Sequence, residues 1–244
     1  TVGIIHRSLL VRHSDNSTVG ILSRYYGRSM GLCESERFYY QPSAPTCTGF
    51  LVAPDLIATA GHCINAGGCP AKAIILNYQI NENNEAPYTT KNENIFYCKE
   101  VLRREVSEEQ DYALVRLDRA VINISPLSLA TTSPNVGDAL FTIGHPSGLP
   151  KKISAGATVL EVKTNYLKTN TDSYGGSSGS PLFNQHNQVV GILVRGEDDY
   201  IDQPIANDST LSCKISRVCK GDQCRGEDAT NISFIASALN AAKH

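Results

Sequence analysis

No run in the sequence approaches the roughly 18 consecutive apolar residues of a membrane-spanning helix, which excludes insertion of that kind. Nor is there an excess of either charge: 22 lysines and arginines stand against 24 aspartates and glutamates. That balance argues against nucleic acid or an acidic membrane surface as partner. A pair of Cys-x2–4-Cys knuckles, the pattern of a structural zinc site, is missing, so no metal is expected. Internal repeats and long low-complexity segments are absent, which sets aside repeat architectures. No leader is visible either. The chain opens on Thr1 rather than Met, so a signal peptide, with or without a pro-segment, is expected to have been removed.

What is present is cysteine and β-texture. Eight cysteines make an even set suited to disulfides, which places the protein in an oxidising compartment, secreted or periplasmic. Short runs rich in Val, Ile, Tyr and Thr alternate with clusters of Gly, Pro, Asn and Ser. They predict strands at Val19–Leu22, Thr48–Val52, Leu56–Thr59, Ala73–Tyr78, Ala113–Leu117, Ala139–Ile143 and Val189–Val194. One helix is predicted over Phe234–Ala242, capped by Asn231 or Ser233. The length of 244 residues suits one large or two small domains. An all-β barrel or sandwich follows.

Three local patterns carry chemistry. In the segment from Cys47 to Cys63, two apolar strands join at Ala53-Pro54-Asp55, and the second delivers His62 at its tip after small residues. An antiparallel hairpin of this length brings Cys47 and Cys63 face to face, as a bridge requires. Asp111 heads the apolar run Ala113–Leu117; taken alone, an Asp there reads as a turn residue. The stretch Tyr174-Gly175-Gly176-Ser177-Ser178-Gly179-Ser180-Pro181 can set a serine on a tight turn with amides gathered around its hydroxyl. That geometry serves a nucleophile whose intermediate carries an oxyanion. Taken alone it also reads as a linker, although the apolar segment behind it argues otherwise.

Taken together, Thr59-Ala60-Gly61-His62-Cys63, Asp111-Tyr112-Ala113-Leu114 and Gly176-x-Ser178-Gly179-Ser180-Pro181 resemble the three motifs of chymotrypsin-like serine endopeptidases, in their order. The resemblance runs from about Cys47 to Gly196 and includes the terminal helix. It implies two antiparallel six-stranded β-barrels with the active site in the cleft between them. Residues 1–125, with an N-terminal extension, would form the first barrel and residues 126–244 the second. It further implies His62, Asp111 and Ser178 as the catalytic triad, Gly176 and Ser178 as the oxyanion hole, and a Cys47–Cys63 bridge. No cofactor is needed. Partners would be protein or peptide substrates, met by a monomer.

The Gly144-His145-Pro146 turn, the Gly-x-Ser-Gly-Ser-Pro ending and the absence of Trp resemble the bacterial V8, or glutamyl endopeptidase-like, branch. His145 is assigned to that turn. Ser177 stands where trypsin-like enzymes carry the Asp that pairs with a freed N-terminus, so their zymogen switch is not expected in the same form. Asp172 lies six residues before Ser178, the spacing of the trypsin-like pocket acid, and implies Lys or Arg at the cleaved position (P1). Ser173 joins it in the pocket. Leu193 occupies the register where glutamyl enzymes carry a His, which speaks against Glu preference. Arg195 would suit an acidic P1 or simply face solvent, and Val194, Arg195 and Gly196 would pair with the substrate backbone as an added strand. Alternatives are an acidic or apolar P1, an HtrA-like protease, disfavoured for want of an appended domain, and an inactive protease fold used for binding. A Cys69–Cys98 bridge is expected around the Asn-rich loop 77–94, leaving Cys33, Cys213, Cys219 and Cys224 with three pairings open.

Overall fold

A computed structural model describes residues 1–14, 17–65, 68–205, 208–218 and 224–242. The first six barrel strands are β1 (Val2–His6), β2 (Cys47–Ala53), β3 (Leu56–Thr59), β4 (Lys72–Ile75), β5 (Ile95–Val106) and β6 (Asp111–Leu117). They close in the order β1-β2-β3-β6-β5-β4. Then follow β7 (Ala139–Gly144), β8 (Lys152–Val162), β9 (Tyr166–Thr169), β10 (Pro181–Asn184) and β11 (Val189–Arg195). An exposed hairpin, β12 (Tyr200–Ile205) and β13 (Asp208–Ser216), precedes the last strand, β14 (Glu227–Asn231). The second barrel closes as β7-β8-β9-β14-β11-β10, so the two antiparallel six-stranded barrels expected from the motifs are present.

Most predicted strands fall within a residue or two of those observed. Ala73–Tyr78 is the exception: the strand ends at Ile75, and Asn77 adopts a φ of 57°, left-handed backbone that leaves the ladder. The terminal helix spans Ser233–Ala241, and the Asn231 side chain accepts the Ser233 amide at 3.0 Å, a capping bond.

Residues 1–46, to which the sequence assigned little, are structural. β1 pairs with both β2 and β4 and buries Val2, Ile4 and Ile5, removing the open edges of the first barrel. The chain then crosses to the second barrel as a strap, where Tyr26 and Leu32 pack on Leu149 with Phe38, Tyr39 and Tyr200. Gly27 is required there, since a Cβ would lie 1.9 Å from the Tyr39 ring. Cys33 of the strap is bridged to Cys213 of β13, with Cα atoms 4.9 Å apart. Cys47–Cys63 and Cys69–Cys98 are bridged as well. Cys219 lies outside the described residues.

The apolar core crosses the seam. Phe50, Ile57, Ile74 and Val115 of the first barrel form one buried cluster with Phe183, Ile192 and Ile235 of the second half. The terminal helix contributes by stacking Phe234 on Tyr112 of β6, with ring centres 5.6 Å apart. This burial is what presses the two barrel mouths together and fixes the cleft geometry.

The Cys33–Cys213 bridge closes a loop of 180 residues, which restricts the unfolded chain strongly. The double variant Cys33→Ser/Cys213→Ser is expected to lose about 2–4 kcal/mol in urea unfolding under non-reducing conditions. An unchanged midpoint would mean that packing of the strap alone holds it.

Candidate active site

His62 sits in a single 3-10 turn, Gly61–Cys63, at the end of β3. Only glycine fits before it, because a Cβ on Gly61 would stand 2.1 Å from the Glu105 carbonyl oxygen. The His62 amide donates to Asp111 Oδ1 at 3.0 Å, and its Nδ1 lies 2.7 Å from Asp111 Oδ2. An ionised carboxylate accepts only, so Nδ1 carries the proton and Nε2 keeps a free lone pair. The half-exposed imidazole can therefore take a proton at Nε2.

Asp111 is buried at the head of β6, where its backbone exchanges hydrogen bonds with the Thr230 hydroxyl at 3.1 and 3.0 Å. Burial by itself raises its pKa. The His62 ring bond and charge, together with the amides of His62 and Gly61, outweigh burial and hold the carboxyl below its ordinary value.

Ser178 is carried by the loop between β9 and β10, and that loop is moored to the first barrel through Thr48 of β2. The Thr48 amide donates to the Ser178 carbonyl at 2.9 Å, and its hydroxyl donates to the Gly176 carbonyl at 3.1 Å. The same hydroxyl accepts the His145 amide at 2.9 Å. Cys63 Sγ lies 3.6 Å from the Ser178 carbonyl oxygen, so the serine backbone rests against the residue next to His62. Gly176 and Gly179 have φ of 92° and 88°, and a Cβ on Gly179 would meet the Thr48 carbonyl oxygen at 2.0 Å. Among the described residues, the Gly176 and Ser178 amides donate to no protein acceptor. His145 is fully buried, with Nδ1 3.0 Å from the Leu149 carbonyl oxygen, and burial pushes its pKa down to about 3. It is a neutral turn residue.

Sγ of Cys47, Sγ of Cys63 and a ring nitrogen of His62 lie within 4.8 Å of one another, the residue types of a metal site. The two sulfurs are joined to each other, so neither offers a thiolate, and this donor set does not suit a metal.

Beside Ser178 is a cavity of about 120 Å³, lined by Ser173, Val194, Gly196, Asp199 and Glu227 among others. Asp172 is not in its lining. That residue is exposed and borders two larger cavities of about 600 and 500 Å³. The acids at the small cavity are Glu197, Asp199 and Glu227 instead. Glu227 packs against Gly196, where a Cβ would stand 2.1 Å from its Oε1, and accepts the Ser173 hydroxyl at 3.0 Å. Burial pushes its carboxyl up to about 8. Asp199 accepts the Gly175 amide at 2.7 Å, and burial raises its pKa too. Arg195 is committed elsewhere: its guanidinium donates to the Glu108 carbonyl, with Nε 3.9 Å from Asp228. Leu193 is buried in the core of the second barrel, although it also reaches the cavity. Glu227 and Asp199 belong to no motif; the acidic run Glu197-Asp198-Asp199, just after the pocket strand, was the one available signal.

Residues 47–192, which contain all three motif residues, match the family described as trypsin-like peptidase domain. The chain is 26% identical over 163 residues to the extracellular metalloprotease of Bacillus subtilis (strain 168), covering 63% of this chain and 52% of that protein. It is 29% identical over 150 residues to the glutamyl endopeptidase of Bacillus licheniformis, covering 59% and 46%. The matches thus span about half the length of these two relatives. A solved Glu endopeptidase in complex with MPD shares the fold, with a TM-score of 0.57, 17% identity and coverage of 96% of this chain and 99% of its own.

The Glu227 carboxyl generates a stability prediction. Folded, it holds its proton up to about 8, whereas an unfolded Glu releases it near the ordinary 4.5. The folded state therefore binds the extra proton in that window, and stability falls as pH rises through it. Glu227→Gln removes this contribution. Its thermal midpoint is expected to decline less than the wild type's between about pH 5 and 8, followed by circular dichroism. Parallel curves would show that Glu227 titrates normally.

Proposed function

The chain belongs to the family of trypsin-like peptidase domains, and on that premise we propose that it is a serine endopeptidase using His62, Asp111 and Ser178. The observation that carries the reading is the two-point attachment of His62 to buried Asp111, beside a serine loop whose Gly176 and Ser178 amides are unpaired. Ser178 Oγ attacks the scissile carbonyl as His62 Nε2 takes its proton. Asp111 holds the ring in the Nδ1–H tautomer and stabilises the imidazolium. The negative oxygen of the tetrahedral intermediate is received by the Gly176 and Ser178 amides. His62 then protonates the leaving amine, and water, activated by the same imidazole, releases the acyl group from Ser178. The bridged cysteines support an exported protein.

For the residue at P1 we propose Lys or Arg, held by Glu227 rather than Asp172. Glu227 faces the cavity beside Ser178, and an arriving ammonium or guanidinium would draw off its proton and form a charge-assisted pair. An acidic P1 is disfavoured by the same carboxyls and by the engagement of Arg195 with Glu108.

Four measurements test this. Cleavage of a denatured protein mixture, read by mass spectrometry against a Ser178→Ala control, is expected to give cuts after Lys and Arg only with the wild type. Fluorophosphonate should label Ser178; a folded wild type that neither cuts nor labels would exclude the enzyme. Glu227→Gln is expected to raise KM for Lys and Arg substrates roughly tenfold or more. In the wild type that KM should fall as pH rises through about 8, where Glu227 ionises unaided. A KM insensitive to both changes would remove Glu227 from the pocket.

A further inference from the structure

The loop that presents the Gly176 amide is gripped from outside the barrels. The carbonyl of Gly175 accepts the Ser147 amide at 2.5 Å, and the Gly175 amide donates to Asp199 Oδ2 at 2.7 Å. The Gly175–Gly176 peptide is trans, so its C=O and N–H point in opposite directions. Holding the carbonyl on Ser147 therefore turns the Gly176 N–H away from Ser147, to the side where no protein acceptor meets it. A reversed peptide would present a carbonyl where an oxyanion needs a donor. Gly176, at φ 92°, has the conformational freedom to allow that reversal.

The gripping groups are themselves placed by the strap and the hairpin. Ser147 holds a left-handed φ of 49°, costly for a residue with a side chain. Its carbonyl accepts the Ser43 hydroxyl at 2.7 Å, and its hydroxyl lies 2.7 Å from that of Tyr200. The Tyr200 hydroxyl reaches the Tyr26 hydroxyl at 2.8 Å. Asp199 and Tyr200 stand at the start of the β12–β13 hairpin. Besides its own ladder, that hairpin is attached to the strap by the Cys33–Cys213 bridge and by the Cys33 amide on the Lys214 carbonyl at 2.9 Å. Ser177, on the same loop, is no carboxylate, so the anchoring anion here comes from the hairpin.

We infer that Asp199, with Tyr200 acting through Ser147, is a positioning residue that holds the Gly175–Gly176 peptide in the orientation an oxyanion hole requires. The inference rests on the serine endopeptidase reading and adds to it a clamp supplied by the strap-stapled hairpin.

The test compares wild type, Asp199→Ala, Asp199→Asn and Tyr200→Phe on peptide p-nitroanilides ending in Lys and in Leu. It also measures affinity for a peptide boronic acid, whose serine adduct is a tetrahedral anion. For Asp199→Ala, kcat and boronate affinity are expected to fall together by about 10- to 100-fold, below the full loss of one oxyanion donor. KM should stay within about twofold, and both substrates should be affected alike. Asn, which keeps an acceptor for the Gly175 amide, should restore most of the loss, and Tyr200→Phe should lower kcat by a smaller factor. A wild-type kcat in Asp199→Ala would overturn the clamp and leave the endopeptidase standing. So would a loss confined to KM for the Lys substrate, which would make Asp199 a pocket acid. A wild type that binds no boronate and cleaves neither substrate would overturn the endopeptidase reading, and the clamp with it.

Discussion

Thr48 is the residue on which the geometry of the cleft depends. Every polar group it owns is used across or along the barrel seam. Its amide holds the Ser178 carbonyl, its hydroxyl joins the Gly176 carbonyl to the His145 amide, and its own carbonyl accepts the Thr59 hydroxyl at 2.6 Å. The residue is fully buried, so no water competes for these bonds, and an unmade one would leave a desolvated polar group. The serine loop of the second barrel is thus positioned by a strand of the first. Gly179 makes this possible, because the Thr48 carbonyl oxygen occupies the space of a side chain there.

The first barrel supplies its own half of the cleft by a similar economy. Gly61 admits the close approach of β5, the Cys47–Cys63 bridge ties the His62 turn to β2, and Asp111 takes both the amide and the ring of His62. A carboxyl buried so near apolar neighbours would ordinarily keep its proton. Three donated hydrogen bonds and the His62 charge reverse that, and the ionised carboxylate keeps the imidazole proton on Nδ1. Glu227 shows the opposite balance. With Ser173 and a backbone amide as its donors and Asp199 nearby, burial prevails and its carboxyl is held protonated near neutrality. The acid bonded to His62 and an acid lining the cavity beside Ser178 are thus held in different protonation states by their surroundings.

The strap and the hairpin extend this reasoning outward. Neither belongs to a barrel ladder, and the hairpin exposes most of β12. Their order comes from a disulfide, a small aromatic cluster around Tyr26 and a few bonds to Ser147. Stabilisation at the periphery is in this way coupled to the peptide that precedes Gly176.

Much of the molecule was legible in the primary structure. Strand runs with buried, β-branched residues declare themselves by local pattern, and the His62, Asp111 and Ser178 motifs are each contained within a few consecutive residues. Such signals need no knowledge of what folds against them. β1 was missed because a short apolar segment says nothing about the edge it will close, and β12 because its polar exposed face carries no period. Which acids border the cavity beside Ser178 could not be read from spacing. Asp172 has the expected offset from Ser178, yet the backbone carries it to the larger cavities, while Glu227 arrives from β14, a neighbour of β11 only in the closed barrel. The sequence by itself determined the fold class and the motifs that mark the candidate site, because these depend on short-range composition and order. Only the tertiary structure decided which carboxyls face the cleft and which protons they hold, since both depend on burial and on partners distant in the chain.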